Sequence, residues 1–126
     1  MRQAMRSWQQ AFIAVAAAGM LLAGCGKFRE EADTKFGDQH FKTAISLIEL
    51  YRVRHGIYPD SLSELDFNGD WDAMAIHSVE YRRLGDGYEL NLTRGWVGKP
   101  TLAYPPAFWK GLGLRATNVE HLPPAT

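Results

Sequence analysis

A wide stripe of apolar residues at helical spacing in residues 33–55 constrains the fold of this sequence more than any other feature. Four side chains share the spacing i, i+3, i+4, i+7: Phe41, Ala44, Ile45 and Ile48. A second stripe lies one step further round, and a face this wide is typical of a helix laid across a sheet. The sequence therefore predicts a helix that begins at residue 33 or 34 and ends at His55, before a stop at Gly56.

A hairpin pattern follows at residues 78–93. Polar and apolar residues alternate through 78–84 and again through 88–93, and Gly85-Asp86-Gly87 between them is typical of a tight turn. We expect the apolar positions to face the helix: Val79, Tyr81, Tyr88, Leu90 and Leu92.

The C-terminal third, beyond Gly95, is rich in proline, glycine and aromatic residues. It predicts short extended pieces at 101–104 and 114–119, with a helical turn at 106–112. The predicted fold class is α+β: one long N-terminal helix packed on a small antiparallel sheet, with a loop-rich C-terminal third.

The first 24 residues have the layout of a secretory signal, with basic Arg2 and Arg6 followed by an apolar run at 11–23. This run is shorter than the roughly 20 residues that a spanning helix needs. Leu22-Ala23-Gly24-Cys25 resembles a lipobox, the cleavage site of lipoprotein signal peptidase, which implies cleavage before Cys25 and a lipid on its thiol. An ordinary signal peptide with a chance cysteine and a signal-anchor helix are the alternatives.

A lipid on Cys25 determines location. Several acyl chains, palmitate among them, hold a protein on a membrane stably, whereas one chain binds only marginally. By resemblance to the lipoproteins of Gram-negative bacteria, Gly26 in place of Asp implies the outer membrane, facing the periplasm, rather than the inner membrane. The expected organisation is a signal peptide at 1–24, a lipidated tether at 25–32, a single domain at 33–119 and a disordered tail at 120–126.

Cysteine content and charge exclude several classes of protein. Cys25 is the only cysteine, so residues 25–126 hold no disulfide and no second thiol for catalysis or zinc binding. Of the 14 Lys and Arg residues, Arg2 and Arg6 lie in the signal, which leaves 14 − 2 = 12 against 14 Asp and Glu. Without a basic excess we expect no nucleic-acid partner.

A second resemblance covers residues 41–93. The predicted helix carries Tyr51, the turn Gly56-Ile57-Tyr58-Pro59 follows, and the hairpin contains Asp86-Gly87-Tyr88-Glu89-Leu90. This order resembles the periplasmic domain of type II secretion major pseudopilins, which implies an antiparallel sheet under the helix and a place near a secretion assembly. A lipid would replace the prepilin leader and the apolar half-helix that builds the filament, so the resemblance does not imply a filament subunit.

Between helix and hairpin, Ser61-Leu62-Ser63-Glu64 matches a capping box and predicts a short helical turn through Leu65. Residues 66–72 predict a polar loop. Oxygen-bearing side chains at alternate positions make this loop a weak calcium candidate: Asp66, Asn68, Asp70 and Asp72. The glycine stands at the wrong position and His77 replaces the bidentate glutamate, which favours a solvated turn.

The remaining candidate site is an aromatic surface for a partner: Trp96, Tyr104, Phe108 and Trp109. The alternative is that these side chains complete the core of a small domain. No zinc pattern or nucleophile–base pair stands in the sequence, so we expect no enzyme and no cofactor beyond the covalent lipid. The predicted function is a lipid-anchored, non-catalytic periplasmic interaction module with a protein partner, associated with an envelope or secretion assembly. The alternative is a periplasmic inhibitor or immunity lipoprotein that blocks a toxin or hydrolase.

Overall fold

The computed structural model describes residues 24–67 and 69–125 in full, and residues 2–23 only as part of the first helix. A long helix packs on a small sheet, which confirms the α+β class. In chain order the elements are α1 (Arg2–His55), a 3-10 turn (Leu62–Glu64), α2 (Asp70–His77), β1 (Val79–Leu84), β2 (Gly87–Leu92), β3 (Ala103–Tyr104), α3 (Pro106–Trp109), β4 (Leu114–Ala116) and β5 (Glu120–His121).

The predicted hairpin is confirmed. β1 and β2 pair antiparallel from Val79 opposite Leu92 to Leu84 opposite Gly87. Gly85 and Asp86 between them form a two-residue turn. Gly85 has a φ of 60°, the positive value that suits such a turn. β4 then adds to β2 in parallel, so the main sheet has the order β1-β2-β4 and is mixed rather than wholly antiparallel.

The core lies between α1 and the inner face of the hairpin. Eight side chains of these elements are buried together: Phe41, Ala44, Ile45, Ile48, Val79, Tyr88, Leu90 and Leu92. Tyr81, which was also expected inside, is half-buried against this cluster. Each fully buried large aliphatic or aromatic side chain contributes about 1.5–3 kcal/mol to folding, so the stripe and the hairpin face together fix the helix on the sheet.

The helix extends further toward the N-terminus than we predicted. α1 includes residues 25–32, which the sequence analysis interpreted as a tether, and does not begin at residue 33 or 34. Asp33 thus lies inside the helix, where its carboxylate binds a distant loop. Within the described residues, no helix is apolar over enough of its length to cross a bilayer. The end at His55 is confirmed, and Gly56 follows with a φ of 80°.

The helix α2 corrects the prediction of a polar loop over residues 66–72. It begins at Asp70, after Gly69 with a φ of 87°. Asp70 and Asp72 lie in its first turn, where a negative charge favours the positive end of the helix dipole. The eight residues of α2 cover little more than two turns, too few for a clear helical period.

The C-terminal third contains the short elements that we predicted, as β3, α3 and β4. Beyond them, the structure differs from the disordered tail expected from residue 120. β5 pairs in parallel with β3, with Ala103 opposite Glu120 and Tyr104 opposite His121. The His121 ring also stacks on Trp109, with ring centroids 3.9 Å apart. A strand of two residues is too short to show an alternating apolar pattern, so the sequence alone does not predict β5.

Candidate interaction surfaces

The predicted lipidation residue lies at the exposed end of the described part of α1. Cys25 is solvent-exposed, and Phe28, one helical turn further on, is 63% exposed. Residues three apart on a helix are neighbours on its surface. An apolar ring therefore stands next to the thiol.

Two residues from the loop before β3 join Phe28. The Phe28 and Trp96 rings meet edge to face, with centroids 6.0 Å apart and planes at 89°. Trp96 is 45% exposed and the neighbouring Val97 is 62% exposed. We call Phe28, Trp96 and Val97 the proximal patch.

Asp33 holds this loop on the helix. Its Oδ1 accepts hydrogen bonds from three consecutive backbone N–H groups, those of Trp96 at 2.8 Å, Val97 at 2.7 Å and Gly98 at 3.0 Å. These bonds, the one from Val97 foremost, lower the pKa of the Asp33 carboxyl. A Cβ atom on Gly95 would lie only 2.0 Å from the Asp33 carbonyl oxygen, so the loop can approach this closely only with glycine there.

A groove of about 320 Å³ continues from the proximal patch along α1 toward α2. Its lining residues are Phe28, Glu31, Ala32, Lys35, Phe36, Gln39 and Trp71. The Phe36 and Trp71 rings lie 5.8 Å apart and close its far end. Sequence analysis missed this groove because Trp71 reaches α1 only through the unpredicted α2.

His40 lies beneath the groove and is 1% exposed. Its ring is 5.2 Å from that of Trp71, and its Nδ1 atom has no hydrogen-bond partner among the described residues. Burial lowers the pKa of His40, and the charge of Arg94 lowers it further. The imidazole is thus held in its neutral form against two aromatic rings.

Of the four aromatic residues predicted as a partner surface, three lie together and Trp96 lies elsewhere. Tyr104 is buried and stacks on Phe108, with centroids 4.1 Å apart, and the rings of Trp109 and Phe41 lie 5.8 and 6.0 Å from it. Phe108 and Trp109 are half-buried against the core, and the Trp109 indole N–H donates to the Tyr104 carbonyl at 3.1 Å. Trp96 lies in the proximal patch instead.

A carboxylate of α1 also binds Tyr104. The Tyr104 hydroxyl donates to Asp38 Oδ1 at 2.6 Å, and Lys42 forms an ion pair with the same carboxylate at 3.1 Å. Burial and then the bond to Asp38 raise the pKa of Tyr104. This phenol therefore remains a proton donor near neutral pH.

Glu49 forms the densest polar cluster. Its carboxylate accepts hydrogen bonds from the Tyr58 hydroxyl at 2.8 and 3.0 Å, the Tyr88 hydroxyl at 3.4 Å and the Gly113 N–H at 2.9 Å. Burial, followed by the bond to Glu49, raises the pKa of Tyr58 to about 12. Both phenols donate to the same side chain of α1, an arrangement that joins the helix to the turn after it and to β2.

Three of the four residues of the weak calcium candidate lie in the described part of the chain, where they form no metal-holding group. Asp70 and Asp72 belong to the first turn of α2, Asp66 precedes it, and Asn68 lies outside the described residues. Across residues 24–67 and 69–125, no group of three or more His, Cys, Asp or Glu side chains is arranged to hold a metal ion.

The far end of α1 exposes a second apolar surface. Val53 is 80% exposed, and Leu50 one turn before it and Ile57 just after the helix are exposed as well. We call Leu50, Val53 and Ile57 the distal stripe. At 1.5 Å per residue, Val53 lies about 42 Å along the helix from Cys25.

Comparison with known proteins adds no relative: the chain matches no protein-family model, no curated protein and no solved structure. The lipoprotein and pseudopilin resemblances therefore stay predictions that rest on the sequence motifs.

Proposed function

We propose that this chain is a bacterial lipoprotein whose α+β domain acts as a non-catalytic interaction module on the periplasmic face of the outer membrane. The observation that carries the proposal is Cys25, the only cysteine, which ends the lipobox-like Leu22-Ala23-Gly24-Cys25 and is exposed. A thiol must be accessible to accept a diacylglycerol, and several acyl chains give a stable anchor.

The polar groups of the domain support a structural rather than a catalytic use. The carboxylates of Asp33, Asp38 and Glu49 all accept hydrogen bonds from the C-terminal half of the chain. Each thereby joins α1 to another segment. The proposal assigns no reaction to these groups.

The distal stripe supports a protein partner. Leu50 and Val53 lie three residues apart on α1, so their exposed side chains are neighbours. This surface is about 42 Å of helix away from Cys25, far enough for a partner to bind without contacting the bilayer. An envelope or secretion assembly is the partner class that the pseudopilin resemblance favours.

Acylation is tested first. The full chain is expressed in a Gram-negative host with labelled palmitate, beside Cys25→Ser and the control Ser46→Ala, whose position is exposed on the same helix. We expect the wild type and Ser46→Ala to incorporate label and to migrate as processed protein, and Cys25→Ser to do neither. Label on Cys25→Ser would overturn the anchor.

The partner is tested by a photo-cross-linking residue at position 53 in cells, with position 82 on the outer side of the hairpin as control. We expect an adduct with an envelope or secretion protein from position 53 only, and its loss when Leu50→Asp is added. An acylated protein without such an adduct would contradict the interaction module. An adduct with a toxin or hydrolase would favour the inhibitor alternative.

A further inference from the structure

We infer that the proximal patch inserts into the interface of the bilayer that carries the Cys25 lipid and so fixes the orientation of the domain. The inference rests on the proposed lipid anchor and adds to it a second, non-covalent contact with the same membrane. The part of the bilayer that the proximal patch contacts is the boundary between lipid headgroups and acyl chains.

Position is the first argument. Phe28 follows Cys25 by three residues, about 4.5 Å along the helix. Amphipathic elements at membrane surfaces bury their apolar side chains about 5–10 Å into the headgroup and acyl boundary. Once Cys25 is acylated, Phe28 is held within one helical turn of the lipid attachment point, close to that boundary.

The loop that carries Trp96 and Val97 lies against the same end of α1 as Phe28. Trp96 is far from Cys25 in sequence, yet its ring contacts Phe28. The three hydrogen bonds to Asp33 fix Trp96 and Val97 on the helix before any membrane is present. The proximal patch is therefore preorganised, so little conformational entropy is lost when it inserts.

Side-chain chemistry is the third argument. Trp is enriched at membrane interfaces because its ring is apolar and its indole N–H is polar. Val97 and Phe28, each more than 60% exposed, supply apolar surface beside it. Trp96 is less exposed than these two because its ring packs against Phe28.

The charges next to the proximal patch determine whether its insertion requires anionic lipid. Exposed Lys27 and Arg29 stand beside the proximal patch, and exposed Glu30 and Glu31 follow them. The two signs offset each other, so the contact depends on apolar insertion and not on attraction to anionic lipid. Phosphatidylcholine vesicles should therefore serve as well as vesicles that contain phosphatidylglycerol.

Insertion fixes the orientation of the domain. A lipid on Cys25 alone is a single pivot about which the domain can turn freely. Contact through Trp96 and Val97, on a loop beside α1, adds a second point away from the helix axis. The distal stripe would then point into the periplasm at a defined angle.

The experiment uses the acylated protein, processed from the full chain, in vesicles of phosphatidylcholine brominated in the acyl chains. Bromine quenches only tryptophan that approaches it, and residues 25–126 hold Trp71, Trp96 and Trp109. We expect clear quenching in the wild type and in Trp109→Phe, and loss of most of it in Trp96→Phe. In a Trp71→Phe, Trp109→Phe background, Val97→Ser should reduce the quenching of Trp96 at least twofold.

The outcomes separate the inference from the anchor. If the protein is not acylated or does not float with the vesicles, the proposed anchor fails. If acylated, vesicle-bound protein shows equal quenching in the wild type and Trp96→Phe, the anchor stands and the insertion is overturned. Circular dichroism tests whether Trp96→Phe is folded. Should that variant unfold, Phe28→Ser in the single-tryptophan background provides the same test.

Discussion

The backbone N–H of Gly113 donates a 2.9 Å hydrogen bond to the Glu49 carboxylate, which joins residues 64 positions apart. This bond fixes the segment just before β4 on α1. A Cβ atom on Gly113 would lie 2.2 Å from the Tyr58 hydroxyl oxygen, so glycine lets the segment, the carboxylate and the phenol share one site.

Two further carboxylates of α1 repeat this role. Asp33 binds the loop around Val97, and Asp38 binds the hydroxyl of Tyr104. The helix thus holds the loop-rich C-terminal third by these hydrogen bonds in addition to apolar packing, in which Leu102 and Val119 join the core.

Glu49→Ala should destabilise the domain. The substitution leaves the Tyr58 hydroxyl and the Gly113 N–H, both in a part-buried setting, without their acceptor. An unsatisfied buried donor costs about 1–3 kcal/mol, and we expect a loss of free energy of unfolding in that range. Urea denaturation followed by circular dichroism measures it. Ser46→Ala, one turn earlier on α1, should change stability by less than about 0.5 kcal/mol, and an equal loss in both variants would contradict the role of Glu49.

The domain should lose stability at alkaline pH because folding raises the pKa of Tyr58. Its pKa is raised to about 12 in the folded protein, above the ordinary value of 10.0. The unfolded chain therefore loses this proton first, so the stabilisation is complete below pH 10 and disappears as pH rises toward 12. We expect the free energy of unfolding to fall over this window. Tyr58→Phe should weaken the fall without abolishing it, because burial raises the pKa of Tyr81 to about 12 as well. An unchanged slope in Tyr58→Phe would refute the assignment.

The regular part of the fold could be predicted because its patterns are local. The spacing of Phe41 and Ile48 defines the buried face of α1, and the alternation around Tyr88 defines the hairpin. The predicted start of α1 was wrong because residues 25–32, interpreted as a tether, include good helix formers and continue the helix.

The surfaces were harder to predict because each combines segments that are distant in sequence. Trp96 belongs with Phe28 only because Asp33 and Gly95 bring its loop onto α1. Trp96 was grouped with Tyr104, Phe108 and Trp109 by composition, yet only the last three pack together. A single sequence shows the presence of such residues but not which of them meet.

Gly95→Ala should displace the loop of the proximal patch. The added Cβ would lie 2.0 Å from a backbone oxygen of Asp33, which a helix cannot move away cheaply. We expect a loss of free energy of unfolding of about 1–3 kcal/mol, the usual cost of forcing atoms into filled space. The emission of Trp96, measured in a Trp71→Phe, Trp109→Phe background, should also shift to the red as its ring leaves Phe28.

The matched control is Gly26→Ala, at an open position on α1. A Cβ there meets nothing within 4 Å. Alanine is the better helix former by up to about 1 kcal/mol, so this variant should be as stable as the wild type or more stable. If Gly95→Ala leaves both the stability and the Trp96 emission unchanged, the close approach of the loop to Asp33 is wrong.

His40 makes stability depend on pH on the acid side. Burial lowers its pKa below 6.5 in the folded protein, so the unfolded chain binds the proton first. The stabilisation is present above pH 6.5 and is lost as pH falls through the folded pKa. We expect the free energy of unfolding to drop from pH 8 to pH 5, and His40→Phe, which keeps a ring beside Trp71, to flatten that drop. The exposed His77→Gln serves as control and should retain it, and a drop of the same size in His40→Phe would assign the effect to another group.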